Sequence, residues 1–158
     1  MNWRGSTTPL DRTFACLPYL LPLLDGLGFA VPFFTQFPAL QPILLPLLPL
    51  LAIYNLPFVG LIIFFALFLL VVRNDRINHF IRFNTMQAIL LDIVLILCRL
   101  IMGFVLQPIL GSGLFIETLY NVIFLGTLAA IVYSVFQSIM GRYAEIPTLS
   151  DAVHMQVR

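Results

Sequence analysis

A handful of ionisable and amide residues stand inside otherwise apolar runs of this chain, and their spacing limits the chemistry open to them. Thr85, Asp92 and Arg99 recur every seven residues, so on a helix they fall along nearly one face. Asp92 lies ten residues past Arg82, about 15 Å along a helix axis, near the middle of a hydrocarbon layer about 30 Å thick. An aspartate at that depth costs about 2.5–3.5 kcal/mol to insert, so it needs a partner, water or a proton. Asp92 and Arg99 are separated by about 10 Å along the axis, too far for a direct pair without bending. Two readings stand side by side. One is a polar, hydrated face turned into a helix bundle; the other is a single buried hydrogen bond at Asp92, with Arg99 snorkelling outward.

Neighbouring positions extend this face. Glu117 and Asn121, one turn apart, open the next apolar run at about the level of Arg99. They could form an Arg99–Glu117 pair or stand as independent interfacial groups. Asp25 precedes Gly26 in a broken apolar run, where it marks either a helix break facing a cavity or the cap of a short half-helix. Gln87, with Asn78 and Asn84, could satisfy frayed backbone or contact a partner. His79 reads as an interfacial polar residue, with pH sensing as the alternative.

Enzyme chemistry has no comparable signal. The sequence lacks HExxH, CxxC and a phosphate-binding glycine loop, and no Ser/His/Asp set shares a site. His79 and His154 are isolated, so neither a metal nor a cofactor is expected. Cys16 and Cys98 lie in apolar runs and read as small buried hydrophobes. The chain is expected not to be an enzyme. A formal net charge of +1 gives no surface for nucleic acid.

The elements that must position these residues are membrane helices. The chain is 61% hydrophobic and 9% charged, with a mean hydropathy of +1.03, whereas soluble domains are about 25% charged. Its 158 residues allow one domain and about four crossings of roughly 20 residues each. The expected spans are 14–34, 56–73, 79–106 and 114–141. The third is longer than a bilayer needs and should tilt. Gly141-Arg142 suits the C-terminus of the fourth. In the first span Pro18, Pro22, Gly26, Gly28 and Pro32 interrupt the helix. Residues 38–53 carry Pro38, Pro42, Pro46 and Pro49; each internal proline costs about 3 kcal/mol, which argues against a regular lipid-exposed helix.

Arginine placement decides the count. All fixed positive charge is arginine. With four spans, Arg4 and Arg12, the middle-loop residues Arg73, Arg76 and Arg82, and the tail residues Arg142 and Arg158 share one side, and the other side has none. That is a full positive-inside bias, with both termini cytoplasmic or stromal. A fifth span through 38–53 would destroy it, so that segment is expected to be interfacial or re-entrant.

Packing signals complete the reading. Gly126, Ala130, Ser134 and Ser138 repeat every four residues, a small-residue stripe suited to close packing within the subunit or against a partner. After a break at Ile146-Pro147, a helix start at Ser150-Asp151 places Leu149, Val153 and Val157 on one face. This short amphipathic tail helix could lie on the membrane surface or dock on the middle loop. The N-terminal residues lack the apolar core and cleavage site of a signal peptide, and the Ser/Arg-rich length of a transit peptide.

Three runs carry a family likeness: LPYLLPLLDG (Leu17 to Gly26), FALFLLVVRN leading into HFIRFNTMQAILLDI (Phe65 to Ile93), and YAEIPTLSDAVHMQV (Tyr143 to Val157). In order and spacing they resemble the Tic-twenty family, the small membrane subunit of the chloroplast inner-envelope protein translocon and its cyanobacterial relatives. The likeness covers nearly the whole chain from Thr13 onward. It implies an all-α, four-helix membrane protein of a cyanobacterial membrane or plastid inner envelope, with stromal or cytoplasmic termini. It further implies a core, channel-type role in preprotein import; without a transit-type segment, a cyanobacterial or plastid-encoded member is expected. The expected function is a non-enzymatic translocon subunit whose partners are the bilayer, other membrane subunits or further copies, and a translocating polypeptide. A small-solute or ion carrier using Asp92 is the alternative, and an assembly or scaffold factor the second.

Overall fold

A computed structural model describes residues 8–146 and 148–157, and among these residues all regular structure is helical. Arg4, Pro147 and Arg158 lie outside the described residues.

The first apolar run is segmented without unravelling. Helix α1 (Pro9–Cys16) starts in a capping box in which Thr8 and Asp11 satisfy each other's backbone N–H, with Pro9 in the first turn. A 3-10 turn (Leu17–Tyr19) leads to α2 (Leu20–Gly26), and a second (Leu27–Phe29) leads to α3 (Val31–Gln36). Pro18 and Pro32 each sit in the opening turn of a new segment, where a missing N–H costs least. The residues joining these pieces keep right-handed helical dihedrals, so the chain remains a single jointed rod.

The proline-rich segment resolves into a tight form. Residues Pro38–Leu47 make a 3-10 helix and continue as α4 (Leu48–Tyr54). At the end of α4 the path bends by 93° into α5 (Val59–Leu67) and a wider turn, Phe68–Val72. Phe58 stands at the corner with a left-handed φ of 66°. In the wider turn the Arg73 N–H reaches five residues back to the Phe68 carbonyl at 3.1 Å.

Helix α6 (His79–Ile101) is capped by Asn78, whose side chain accepts from Phe80 N at 2.8 Å. It continues through Met102–Leu106 into α7 (Gln107–Leu110), making 32 helical residues. At about 1.5 Å per residue this rod outruns the hydrocarbon layer by a third or more. Helix α8 (Leu114–Ile139) adds 26 residues, and α9 (Leu149–Gln156) forms the tail. Two helices are thus long and apolar enough to cross a membrane, or three if the bent pair 38–72 is one span. A fourth crossing would have to be the jointed path α1–α3, none of whose pieces is long enough alone.

The elements meet at two distinct ends. At one, Asn78 donates to Asp11 at 3.3 Å and the Arg12 guanidinium donates to the Ile139 carbonyl at 3.4 Å. The start of α1, the 73–78 loop and the close of α8 therefore gather together. At the other end Asn121 donates to Gln36 at 3.5 Å, joining α3 to the start of α8.

Helix α6 is the axis of the bundle. Residues 82–89 are buried without interruption, so the helix is enclosed on every side over two turns. The tail does much of the enclosing. Val153 and Val157 join Val72, Phe83, Met86 and Ile89 in one core cluster. Tyr143 packs edge-on against Phe80 and Phe83, and its hydroxyl meets His79 Nδ1 at 2.9 Å. Of the two placements open to the tail, the structure has it docked on the protein itself. Its helix begins at Leu149, one residue before the expected Ser150 start. Arg82 ties the second and third runs together. Its Nε donates to the Val72 carbonyl at 3.0 Å and its Nη2 lies 3.5 Å from Asp75, placing a cation at a helix C-terminus.

Val153 is fully buried, so Val153→Ala should lower unfolding stability by about 2 kcal/mol through lost burial and a residual cavity. Thermal unfolding of the protein in lipid nanodiscs would read this as a lowered midpoint; an unchanged midpoint would mean the tail is not docked.

Candidate functional site

The polar residues of α6 separate into two groups. The first is a buried network between α6, the first jointed rod and α8, in which Gln87 Oε1 has no hydrogen-bond partner among the described residues. Tyr19 Oη donates to Asn84 Oδ1 at 2.8 Å, and Ser138 Oγ donates to the same oxygen at 3.0 Å. Asn84 Nδ2 donates to the Phe80 carbonyl at 2.9 Å. Gln87 Nε2 donates to Tyr19 Oη at 3.0 Å and to Ser134 Oγ at 3.4 Å. All five side chains belong to buried residues. With no water in the hydrocarbon layer, such groups must find partners within the protein. Asn84 and Gln87, read from sequence as frayed-end or partner-facing amides, are interior ties.

The second group surrounds Asp25. Tyr54 Oη donates to Asp25 Oδ2 at 2.7 Å, while Arg99 Nη2 donates to the Asp25 carbonyl at 3.1 Å and to Oδ1 at 3.3 Å. Asp25 does not cap a half-helix: it sits near the C-terminal end of α2, and its carboxylate is taken by side chains. The Asp25 and Asp92 carboxyls are close enough to interact with each other and with Arg99. These residues border a crevice of roughly 470 Å³ with Asn55, Gly60, Leu61, Phe64, Phe65 and Ile96.

The other expected positions fall elsewhere. Thr85 is buried and lies at the base of a second, strongly apolar crevice of roughly 580 Å³ between the first rod, α4, α5 and α6. Glu117 is exposed at the start of α8, and the cation at Arg99 pairs with Asp25; the Arg99–Glu117 pair is therefore replaced. Asn121 meets Gln36 at the far end. Gly126 is exposed and a Cβ there would touch nothing, whereas Ser134 and Ser138 are buried against α6. The cause is geometric: a four-residue step advances about 40° around a helix, so the stripe winds off one face. Arg73, Arg76 and Arg142 are exposed at the end shared by the 73–78 loop and the tail, and Arg73 lies 6.0 Å from the Phe68 ring centre. Cys16 donates weakly to the Val135 carbonyl at 3.8 Å, and both cysteines are free thiols.

Sequence reasoning missed Tyr19, Tyr54, Ser134 as a Gln87 partner, and the role of Gly26. A Cβ on Gly26 would lie 3.1 Å from Thr127 Cγ2, so the glycine permits close approach of α2 and α8. A tyrosine within a leucine-rich membrane run was the one available hint, since its hydroxyl needs a partner when buried.

Comparison with known proteins gives one consistent result. Residues 8–153 match a family described as chloroplast import apparatus, Tic20-like. A Tic20 family protein of Synechocystis sp. is 54% identical over 149 residues, covering 94% of this chain and 93% of that protein. Protein TIC 20-II, chloroplastic, of Arabidopsis thaliana is 31% identical, covering 99% of this chain and 78% of its own length. The Tic20 family protein Ycf60 of Porphyra purpurea is 36% identical, covering 99% and 81%.

The α2–α8 contact supplies a test. Gly26→Ala should destabilise the protein by roughly 1–3 kcal/mol through overpacking. Thr127→Ser removes the offending methyl but retains the hydroxyl bonded to the Ile123 carbonyl, so the double variant should recover most of the loss. Unfolding midpoints of the two single variants and the double variant, measured in nanodiscs, decide it; loss without rescue would place the close approach elsewhere.

Proposed function

The chain belongs to the Tic20-like family of the chloroplast import apparatus, and on that premise we propose that it is a non-enzymatic membrane subunit of a protein-translocation complex. The observation that carries this reading is the distribution of polarity. Asn84 and Gln87 are engaged in the buried network, Thr85 lies under an apolar crevice, and Asp92 borders a different crevice. The polar side chains of α6 are thus divided among separate places rather than lining one conduit. The outer walls carry exposed Leu69, Leu70, Phe104, Val132 and Phe136, an apolar surface suited to lipid or to other membrane helices. A polypeptide route would therefore form between this subunit and others, or between copies, and not through a single bundle.

The topology we propose has four crossings: the jointed α1–α3 rod, the bent 38–72 segment with its proline-rich arm re-entrant, α6 with α7, and α8. Both termini and the 73–78 loop lie on the cytoplasmic or stromal side. Support comes from the arginines of the loop and tail, Arg73, Arg76 and Arg142, against none in 34–55 or 107–113.

Two measurements test these statements. In a background with Cys16→Ala and Cys98→Ala, a membrane-impermeant maleimide should label Arg76→Cys and Arg142→Cys from one face and Ser112→Cys from the other. Labelling of Arg76→Cys and Arg142→Cys from opposite faces would exclude the topology. For the subunit role, a photo-crosslinking amino acid at Ile63 or Val132 in native membranes should capture a membrane subunit, a second copy or a chain in transit. Lipid adducts alone at both positions would remove the translocon reading.

A further inference from the structure

Among the described helical threonines, one behaves differently from the rest. Thr13, Thr35, Thr118 and Thr127 each donate to the carbonyl four residues back, at 2.7–3.0 Å. Thr85 does not: the residue is fully buried, yet its Oγ1 has no hydrogen-bond partner among the described residues. A buried hydroxyl left this way costs free energy until an acceptor reaches it. It lies on the wall of the apolar crevice of roughly 580 Å³ between the first rod, α4, α5 and α6.

The shape of that crevice selects its occupant. Along the first rod it runs from Phe14 to Leu24, about 15 Å at the rise of a helix. Spread over that length, the volume leaves a cross-section of about 40 Å². A helix with its side chains, about 10–12 Å across, needs about 80–110 Å². A membrane helix of a partner is therefore too broad, whereas an alkyl chain is narrow enough. Apart from Thr85 and the Tyr54 hydroxyl, which Asp25 holds, the lining side chains are aliphatic or aromatic.

Charge at the loop end selects the headgroup. The crevice reaches Ile77 and Ile81 there, beside the 73–78 loop. Arg82 is engaged with Asp75, and Asp11 accepts from Thr8 and Asn78. Arg73 and Arg76 are exposed and form the surplus charge of the loop, which suits an anionic phosphate. Thr85 lies six residues into α6, about 9 Å below its start. A lipid with its phosphate at these arginines thus brings an ester carbonyl towards the hydroxyl that lacks an acceptor.

We propose that this crevice holds an acyl chain of an anionic glycerolipid, with Thr85 donating to an ester carbonyl and Arg73 and Arg76 facing the phosphate. The inference stands independently of the translocation role. A lipid adduct at Ile63, which lines the crevice, agrees with it, and Val132 remains the position that reads protein contacts.

The test is native mass spectrometry of the full chain in mild detergent, offered dioleoyl phosphatidylglycerol and dioleoyl phosphatidylcholine in equal amounts. The chain should retain one lipid, with phosphatidylglycerol favoured by about fivefold or more. Arg73→Gln combined with Arg76→Gln should bring the two lipids to near-equal retention. Ile63→Trp, at an exposed position of the crevice wall, should lose retention of both. Thr85→Val keeps the side-chain shape and removes the unpartnered hydroxyl. It should weaken retention about two- to tenfold and leave the unfolding midpoint of the lipid-free protein unchanged or higher. That variant carries the test should Ile63→Trp fail to fold. No retained lipid in the wild type, equal retention of the two lipids by the wild type, or undiminished retention in either folded variant overturns the proposal. So does a photo-crosslinker at Leu67, also on the wall, that captures a polypeptide in native membranes and forms no lipid adduct.

Discussion

Hydrocarbon offers no hydrogen bonds, and that single constraint organises this protein. The enclosed half of α6 carries Arg82, Asn84, Thr85 and Gln87 in eight consecutive buried positions. Most of their polar groups are met by other elements: the Val72 carbonyl for Arg82, Tyr19 and Ser138 for Asn84, Tyr19 and Ser134 for Gln87. These bonds tie three segments to the same axis, so the network sets the depth at which the first rod and α8 stand beside α6. Apolar packing between helices in lipid lacks the hydrophobic driving force of water, which leaves polar pairing and close approach to define register. The 3.1 Å clearance at Gly26 is the second half of that arrangement.

What could be read from the sequence was what is local. Helix α6 starts at His79 after a polar loop and α8 at Leu114 after a glycine turn, both local signals. The segmentation of the first run followed from Pro18, Gly26 and Pro32. Pairings across long sequence separations were not legible. Asp25 meets Tyr54 and Arg99, respectively 29 and 74 positions away, and periodicity within one helix carries no information about which neighbour faces it. The small-residue stripe is divided for a related reason. Its four-residue step looked like one face in the sequence, but on a helix of 3.6 residues per turn it divides between the interior and the outer wall. Gly26, noted only as a helix breaker, holds the close contact instead.

The two ends of the bundle are built on different principles. The end holding the 73–78 loop and the tail is closed by aromatic packing around Tyr143, Phe80 and Phe83 and by the tail valines. The exposed Arg73, Arg76 and Arg142 stand at that same end. The proline-rich arm turns through 93° into α5, and apolar crevices lie beside it; one of them reaches Phe14, Ile77 and Ile81 near the loop end.

The docked tail also sets an order of events during synthesis. Helix α9 is made after α8, yet its valines complete the wall around residues made some seventy positions earlier, Phe83 and Met86 among them. Until those last turns emerge, one flank of α6 near the water boundary stays uncovered. The membrane helices can therefore insert in sequence, but the bundle acquires its finished interior only once α9 has been made.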